Sequence, residues 1–153
     1  MDGFSRGFSR AVKISSDKDL NFTTSLVTNA GEDEDLTGLK SSAALITGIS
    51  IVSDQNLDWD VQFYSTDGFD DTDLDLDTFI GVFKFVASDG DQVGATGPYK
   101  YSTSSSSNRF IGIDYVDADE TKELHVKLVN RSATSKNAGG TGEVVVTFLY
   151  LPY

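Results

Sequence analysis

Along residues 57–64 apolar and polar side chains change places at every step. Leu57, Trp59, Val61 and Phe63 fall on one side, and Asp58, Asp60, Gln62 and Tyr64 fall on the other, which is the period of a half-buried strand. Residues 79–86 behave differently: Phe79, Gly81, Phe83 and Phe85 alternate with Ile80, Val82, Lys84 and Val86. Both faces are largely apolar, which predicts a strand inside a sheet. A long acidic connection, residues 65–78, joins the two, and the rest of the chain is arranged around this pair.

The same two-residue period predicts strands over residues 10–14, 20–28, 41–53, 109–116 and 124–129, with a short one at 99–101. Ala43-Ala44-Leu45-Ile46 also fits the close of a short helix. Residues 144–151 are apolar on both faces, so that strand is central in a sheet or covered by another subunit. Residues 29–35, rich in acids and turn formers, read as a solvated connector. The Ser-rich run 102–108 reads as a flexible loop, and Asp117-Ala118-Asp119-Glu120 as a turn. About eight or nine strands without amphipathic helices predict an all-β fold, an antiparallel two-sheet β-sandwich of jelly-roll type. It spans residues 11–153 as one domain behind a flexible basic arm, residues 1–10.

Charge sharpens this picture. The chain has 153 residues and a net charge of −12, with 24 acids against 12 bases, which disfavours nucleic acid as a partner because phosphate binding needs clustered Lys and Arg. Residues 1–13 carry three bases against one acid, a net +2 that leaves −14 on the remainder. Such an arm can dock on a neighbouring acidic surface, including that of an identical subunit, and Phe4, Arg6, Phe8 and Arg10 are its candidate interface residues. No apolar run approaches the ~20 residues that span a bilayer, so no membrane partner is expected. The start lacks the apolar core of a secretory signal, which predicts synthesis in the cytoplasm. With no cysteine there is no disulfide framework, thiolate zinc site or thiol nucleophile.

Six aspartates fall between Asp67 and Asp77 with no Lys or Arg among them. A loop this dense in carboxylates can supply the oxygens that Ca²⁺ prefers, so Asp71, Asp73, Asp75 and Asp77 are candidate metal ligands and calcium the candidate cofactor. The spacing is not that of an EF-hand: counted from Asp71, Leu76 stands where the turn glycine belongs and Val82 where the bidentate Glu belongs. The same four residues also fit a solvated acidic ribbon that discourages edge pairing. Gly3-Phe4-Ser5-Arg6-Gly7 matches a nucleophile elbow by letter, but no strand precedes it and no helix pattern follows. His125 is the only histidine, which excludes a multi-histidine metal site within one chain, and its place on the alternate face of a strand reads as a surface or interface side chain. Trp59 and Tyr115 read as core, while Tyr64, Tyr99 and Tyr101 stay open as a sugar-stacking platform. No catalytic residue is assigned, and the chain is read as a non-enzyme.

Three stretches carry a resemblance in overall design: Leu57-Asp58-Trp59-Asp60-Val61-Gln62-Phe63-Tyr64, the Asp-rich loop, and residues 123–133, Glu-Leu-His-Val-Lys-Leu-Val-Asn-Arg-Ser-Ala. In these the chain resembles small virion structural proteins of tailed bacteriophages, the head decoration or cement proteins. The resemblance implies a homo-oligomer, a trimer first of all, that sits on the major capsid protein or another virion protein and reinforces the lattice without chemistry. Its location would be the virion, after synthesis in the host cytoplasm. The alternative reading is a carbohydrate-binding or adhesion module on the same sandwich, with calcium in the acidic loop.

Overall fold

The computed structural model describes residues 10–15, 31–66, 77–134 and 144–153. Among the described residues are ten strands: β1 (Arg10–Ser15), β2 (Gly31–Leu36), β3 (Ala43–Ser53), β4 (Trp59–Tyr64), β5 (Phe79–Phe85), β6 (Asp91–Gln92), β7 (Tyr99–Ser102), β8 (Ile113–Val116), β9 (Leu124–Asn130) and β10 (Val144–Pro152). One 3-10 turn, Ala87–Asp89, follows β5. The first sheet has the order β1-β10-β3-β7-β6, with β8 also paired to β3, and the second has the order β2-β9-β4-β5. All pairings are antiparallel.

The order explains the architecture. β1 pairs with β10 and β3 with β8 in the first sheet, while β2 pairs with β9 and β4 with β5 in the second. The chain is therefore one long hairpin wound over itself into a two-sheet jelly roll. The tip of that hairpin is the acidic connection 65–78, whose base is closed by the Ser65 N–H donating to the Thr78 carbonyl at 2.8 Å.

Alternation sets what lies between the sheets. From the first sheet Ala44, Ile46, Ile49, Ile51, Tyr101, Tyr115, Val146, Phe148 and Tyr150 point inward, and from the second Trp59, Val61, Phe63, Phe83, Phe85, Leu124, Val126 and Leu128 meet them. Phe63 and Phe148 pack edge to face across the layer with centroids 5.5 Å apart, as do Phe85 and Tyr101 at 5.9 Å. Such pairs add about 0.5–1.5 kcal/mol beyond the area they bury. β10, apolar on both faces, lies between β1 and β3 in the interior of its sheet, as its composition requires.

Three expectations are corrected. Residues 31–36 are a strand, not a solvated connector: β2 pairs with β9 and sets Asp33 opposite Lys127 and Asp35 opposite His125. Among the described residues β5 is at the edge of its sheet rather than inside it. Phe83 and Phe85 still fill the core, whereas Val82 is left 37% exposed. The Ser-rich run is a bonded turn: the Ser102 carbonyl accepts the N–H groups of Ser105 and Ser106. The buried Asp89 carboxylate accepts the Ser106 hydroxyl at 2.7 Å and the Ser107 N–H at 2.9 Å. The strand expected over residues 20–28 lies outside the described residues.

Beside Asp89 the Tyr101 hydroxyl donates to Asn56 Oδ1 at 2.6 Å and accepts the Leu57 N–H at 2.9 Å. Gly90 packs directly on this link: a Cβ there would stand 2.7 Å from Asn56 Oδ1 and 2.8 Å from Tyr101 Cζ. Gly90→Ala is expected to cost about 1–3 kcal/mol, the range for overpacking a filled site. Urea denaturation measures it, and a loss under about 0.5 kcal/mol would mean that the link yields freely.

Candidate functional site

Of the residues expected to form the arm interface or the acidic metal site, the structure describes Arg10 and Asp77. Phe4, Arg6, Phe8, Asp71, Asp73 and Asp75 lie outside the described residues. Arg10, assigned to the flexible arm, opens β1 with its backbone opposite Tyr150, and Asp77 is exposed at the base of the hairpin tip. Tyr64 and Tyr101 are buried and Tyr99 half-buried, so the three open tyrosines do not form a sugar-stacking face. Trp59 and Tyr115 are fully buried, as expected.

The polar cluster that the fold does assemble is centred on His125. This residue is on the outer side of β9, yet within the single chain it is wholly buried, where a surface or interface side chain is expected from the sequence. Its Nδ1 lies 2.6 Å from Asp35 Oδ1 on β2, and its Nε2 lies 3.4 Å from Asp117 Oδ1 in the connection from β8 to β9. β2 and β9 are in register at this point, which places Asp35 alongside the ring.

Asp117 is buried because the turn folds around its side chain. Its Oδ2 accepts the Lys122 N–H at 2.7 Å, the Glu123 N–H at 3.2 Å and the Thr121 hydroxyl at 3.2 Å, and its Oδ1 accepts the Asp119 N–H at 3.1 Å. Glu120 and Lys122 take φ of 60° and 63°, a left-handed conformation that side chains adopt only where surrounding bonds hold them. The same turn is tied to both sheets. The Asp117 N–H donates to Ser42 O, the Ala118 N–H to Ser65 O and the Leu39 N–H to Lys122 O. Tyr115, reaching in from the first sheet, accepts the His125 N–H at 2.9 Å and donates to the Glu123 carbonyl at 3.0 Å.

Electrostatics follow from this geometry. Burial opposes charging of the imidazole, but the Asp35 carboxylate, helped by Asp117, outweighs it and raises the His125 pKa above its ordinary value. Burial would likewise raise the Asp117 carboxyl. The Glu123 and Lys122 N–H groups, with the His125 ring, prevail and hold it below the usual carboxylate range. A protonated ring that donates from both nitrogens to carboxylates is the state in which every group at the site is satisfied.

Asp117, Asp119 and His125 also place one potential ligand atom each within 4.8 Å of one another. As a metal centre the set fits poorly. The Asp117 oxygens already take four donors besides the ring, and the Asp35 and Asp117 carboxylates stabilise on His125 the proton that a metal would have to displace.

A second ionic group lies on the outer face of the same sheet. Asp60, 3% exposed, accepts Arg131 Nε at 2.8 Å and lies 3.8 Å from Lys84 Nζ. Nearby the Tyr64 hydroxyl donates to Gln62 Oε1 at 2.8 Å. Sequence reasoning placed His125 at the surface or an interface, Asp117 in a turn and Asp35 in a solvated connector, because the partners that join them are distant in the chain. The one local signal was residues 117–121, whose aspartates can fold a turn around their own carboxylates. No helix among the described residues is long and apolar enough to cross a membrane. Comparison with protein-family models, with curated proteins and with solved structures gave no match.

Proposed function

We propose that this chain is a non-enzymatic structural building block that assembles with copies of itself, in the manner of the virion decoration proteins it resembles. The observation that carries this reading is the state of its one imidazole. His125, the side chain best suited to proton transfer near neutral pH, is 0% exposed and has a carboxylate against each ring nitrogen. It is spent on holding β2, β9 and the 117–123 turn together rather than presented to a substrate. The jelly roll supports the same reading, since the outer faces of its two sheets are broad surfaces of a kind suited to lateral contact. Ion pairs that lock one end of such a unit suit a part that must keep its shape under load. Docked on a capsid lattice, many copies would multiply a modest affinity per contact.

Self-assembly is the first thing to measure. Light scattering on the purified chain at micromolar concentration is expected to report a mass above the monomer, and loss of residues 1–9 is expected to weaken either assembly or docking on a capsid. A monodisperse monomer that is indifferent to that truncation would overturn the proposal.

A further inference from the structure

The outer faces of the two sheets are opposites. The outer face of the second sheet is charged, with Asp33, Asp35, Asp60, Lys84, His125 and Lys127 on it. The outer face of the first sheet, over its two longest strands, has no charge at all. Leu45 and Val52 on β3 and Val145, Leu149 and Leu151 on β10 point outward, and the other outward positions are Ala, Gly, Ser or Thr. The two strands are adjacent, with Val145 beside Val52, Leu149 beside Gly48 and Leu151 beside Leu45. Leu149 is 43% exposed and Val52 37%. On a chain of net charge −12, this uncharged stretch is where two copies meet with least repulsion.

One flank of this face carries charge in a self-complementary arrangement, while on the other β1 sets Lys13 beside Thr147. On the edge of β3 away from β10, β7 sets Lys100 beside Val52 and β8 sets Asp114 beside Leu45. Both side chains are exposed. Asp114 is held in place by the Tyr153 hydroxyl at 2.5 Å. The cation, with the exposed Asp91 of β6 opposite it one strand further out, is therefore at one end of the face and the anion at the other, on the same side. A two-fold axis lying in the contact plane and crossing β3 near Gly48 exchanges the ends and keeps the sides. It sets Lys100 of each copy over Asp114 of the other. It also brings the two Leu149 side chains together near the axis, because Leu149 lies over Gly48, where a Cβ would come within 3.1 Å of its Cδ1.

We infer that the outer face of β3 and β10 is an isologous contact with a second copy of this chain, centred on Leu149 and keyed by Lys100 against Asp114. The inference rests on the self-assembly reading and says which surface performs it. A contact of this symmetry makes pairs, in place of the trimer that the resemblance implies.

Sedimentation velocity across a micromolar concentration series tests it on the full chain. Leu149→Asp sets two like charges against each other at the axis and is expected to raise the dissociation constant at least about tenfold, as desolvated like-charge contacts do. Lys100→Asp, which also sets two aspartates opposite each other across β6 and β7, and Asp114→Lys are each expected to weaken pairing roughly three- to tenfold through two symmetric contacts. The combined K100D/D114K exchange is expected to restore it. Assembly of the native chain that is unmoved by Leu149→Asp and by both charge variants would overturn this face and leave the self-assembly reading intact. A native chain that stays monomeric throughout would remove both. A chain that pairs only once residues 1–9 are deleted would show that its own arm covers the face, and would overturn the contact as well.

Discussion

His125→Leu is expected to destabilise the fold by about 3–5 kcal/mol, the usual loss when one partner of a buried ionic group is removed. Leucine keeps much of the side-chain volume, so the effect is electrostatic rather than that of a cavity. It leaves Asp117, which is 0% exposed, without its cation, and Asp35 with one side open to water at 35% exposure. The solvent at Asp35 places the expected loss toward the lower end. For a chain of this size the melting temperature should fall by about 6–20 °C. Loss of less than about 1 kcal/mol in urea titration at pH 6 would mean that the ring is not the clamp.

The same residue sets a pH dependence with a definite sign. Its folded pKa is raised above the unfolded value of 6.5, so its contribution is complete below 6.5 and is lost as pH rises through the folded value. Asp117 and Asp89 act in the opposite direction. Their folded values lie below 3.8, so their contributions are present above 3.8 and are lost as pH falls through those lowered values. Stability should therefore be greatest between roughly pH 4 and 6.5. The gap between native protein and His125→Leu should narrow above neutrality, and a gap that widened with rising pH would contradict the protonated ring.

The residues that were legible in the sequence are those whose neighbours along the chain reveal their environment. Alternation at Trp59, Val61 and Phe63, and again at Leu124, Val126 and Leu128, identified strand faces that do fill the core. The apolar faces of β10 pointed to a strand either central or covered by another subunit, and it lies between β1 and β3; together with the turn signals these set the sandwich. β2 was hidden because Glu32, Asp33, Glu34 and Asp35 are acidic on both faces and give no contrast to alternate. What makes it a strand is β9, with Lys127 and His125 opposite its acids, and that complement comes from about ninety residues away. β5 misled for the converse reason. Apolar residues on both faces suggest neighbours on both sides, but among the described residues the sheet ends there and leaves Val82 partly in solvent. The His125 cluster was illegible for the same cause as β2: a lone polar residue on a strand has no local sign of burial when its carboxylates arrive from two other segments. Asp117 was partly legible, since its turn was visible, although which carboxylate would be buried in it was not.

Asp117→Asn should be nearly as damaging as Asp117→Ala, at about 3 kcal/mol or more. In most turns asparagine replaces aspartate cheaply, because its carbonyl still accepts. Here Oδ2 takes the Lys122 and Glu123 N–H groups and the Thr121 hydroxyl, while Oδ1 takes the Asp119 N–H and faces the protonated ring. Both oxygens must accept, so either orientation of the amide points N–H at other donors and leaves them unsatisfied away from water. The 117–123 turn, with Glu120 and Lys122 in left-handed backbone, loses the group it is wrapped around, and the Ser42 and Ser65 attachments at this end of the sandwich loosen with it. Because His125 shares the carboxylate, the double variant with His125→Leu should cost less than the sum of the two by about 1–3 kcal/mol. A chelator separates this from a metal centre. An ion-paired ring predicts the same melting temperature with and without it for native protein and variant alike, whereas a bound cation would lower only the native value toward that of Asp117→Asn. An asparagine variant as stable as the native chain would mean that the carboxylate charge does not organise this end of the fold.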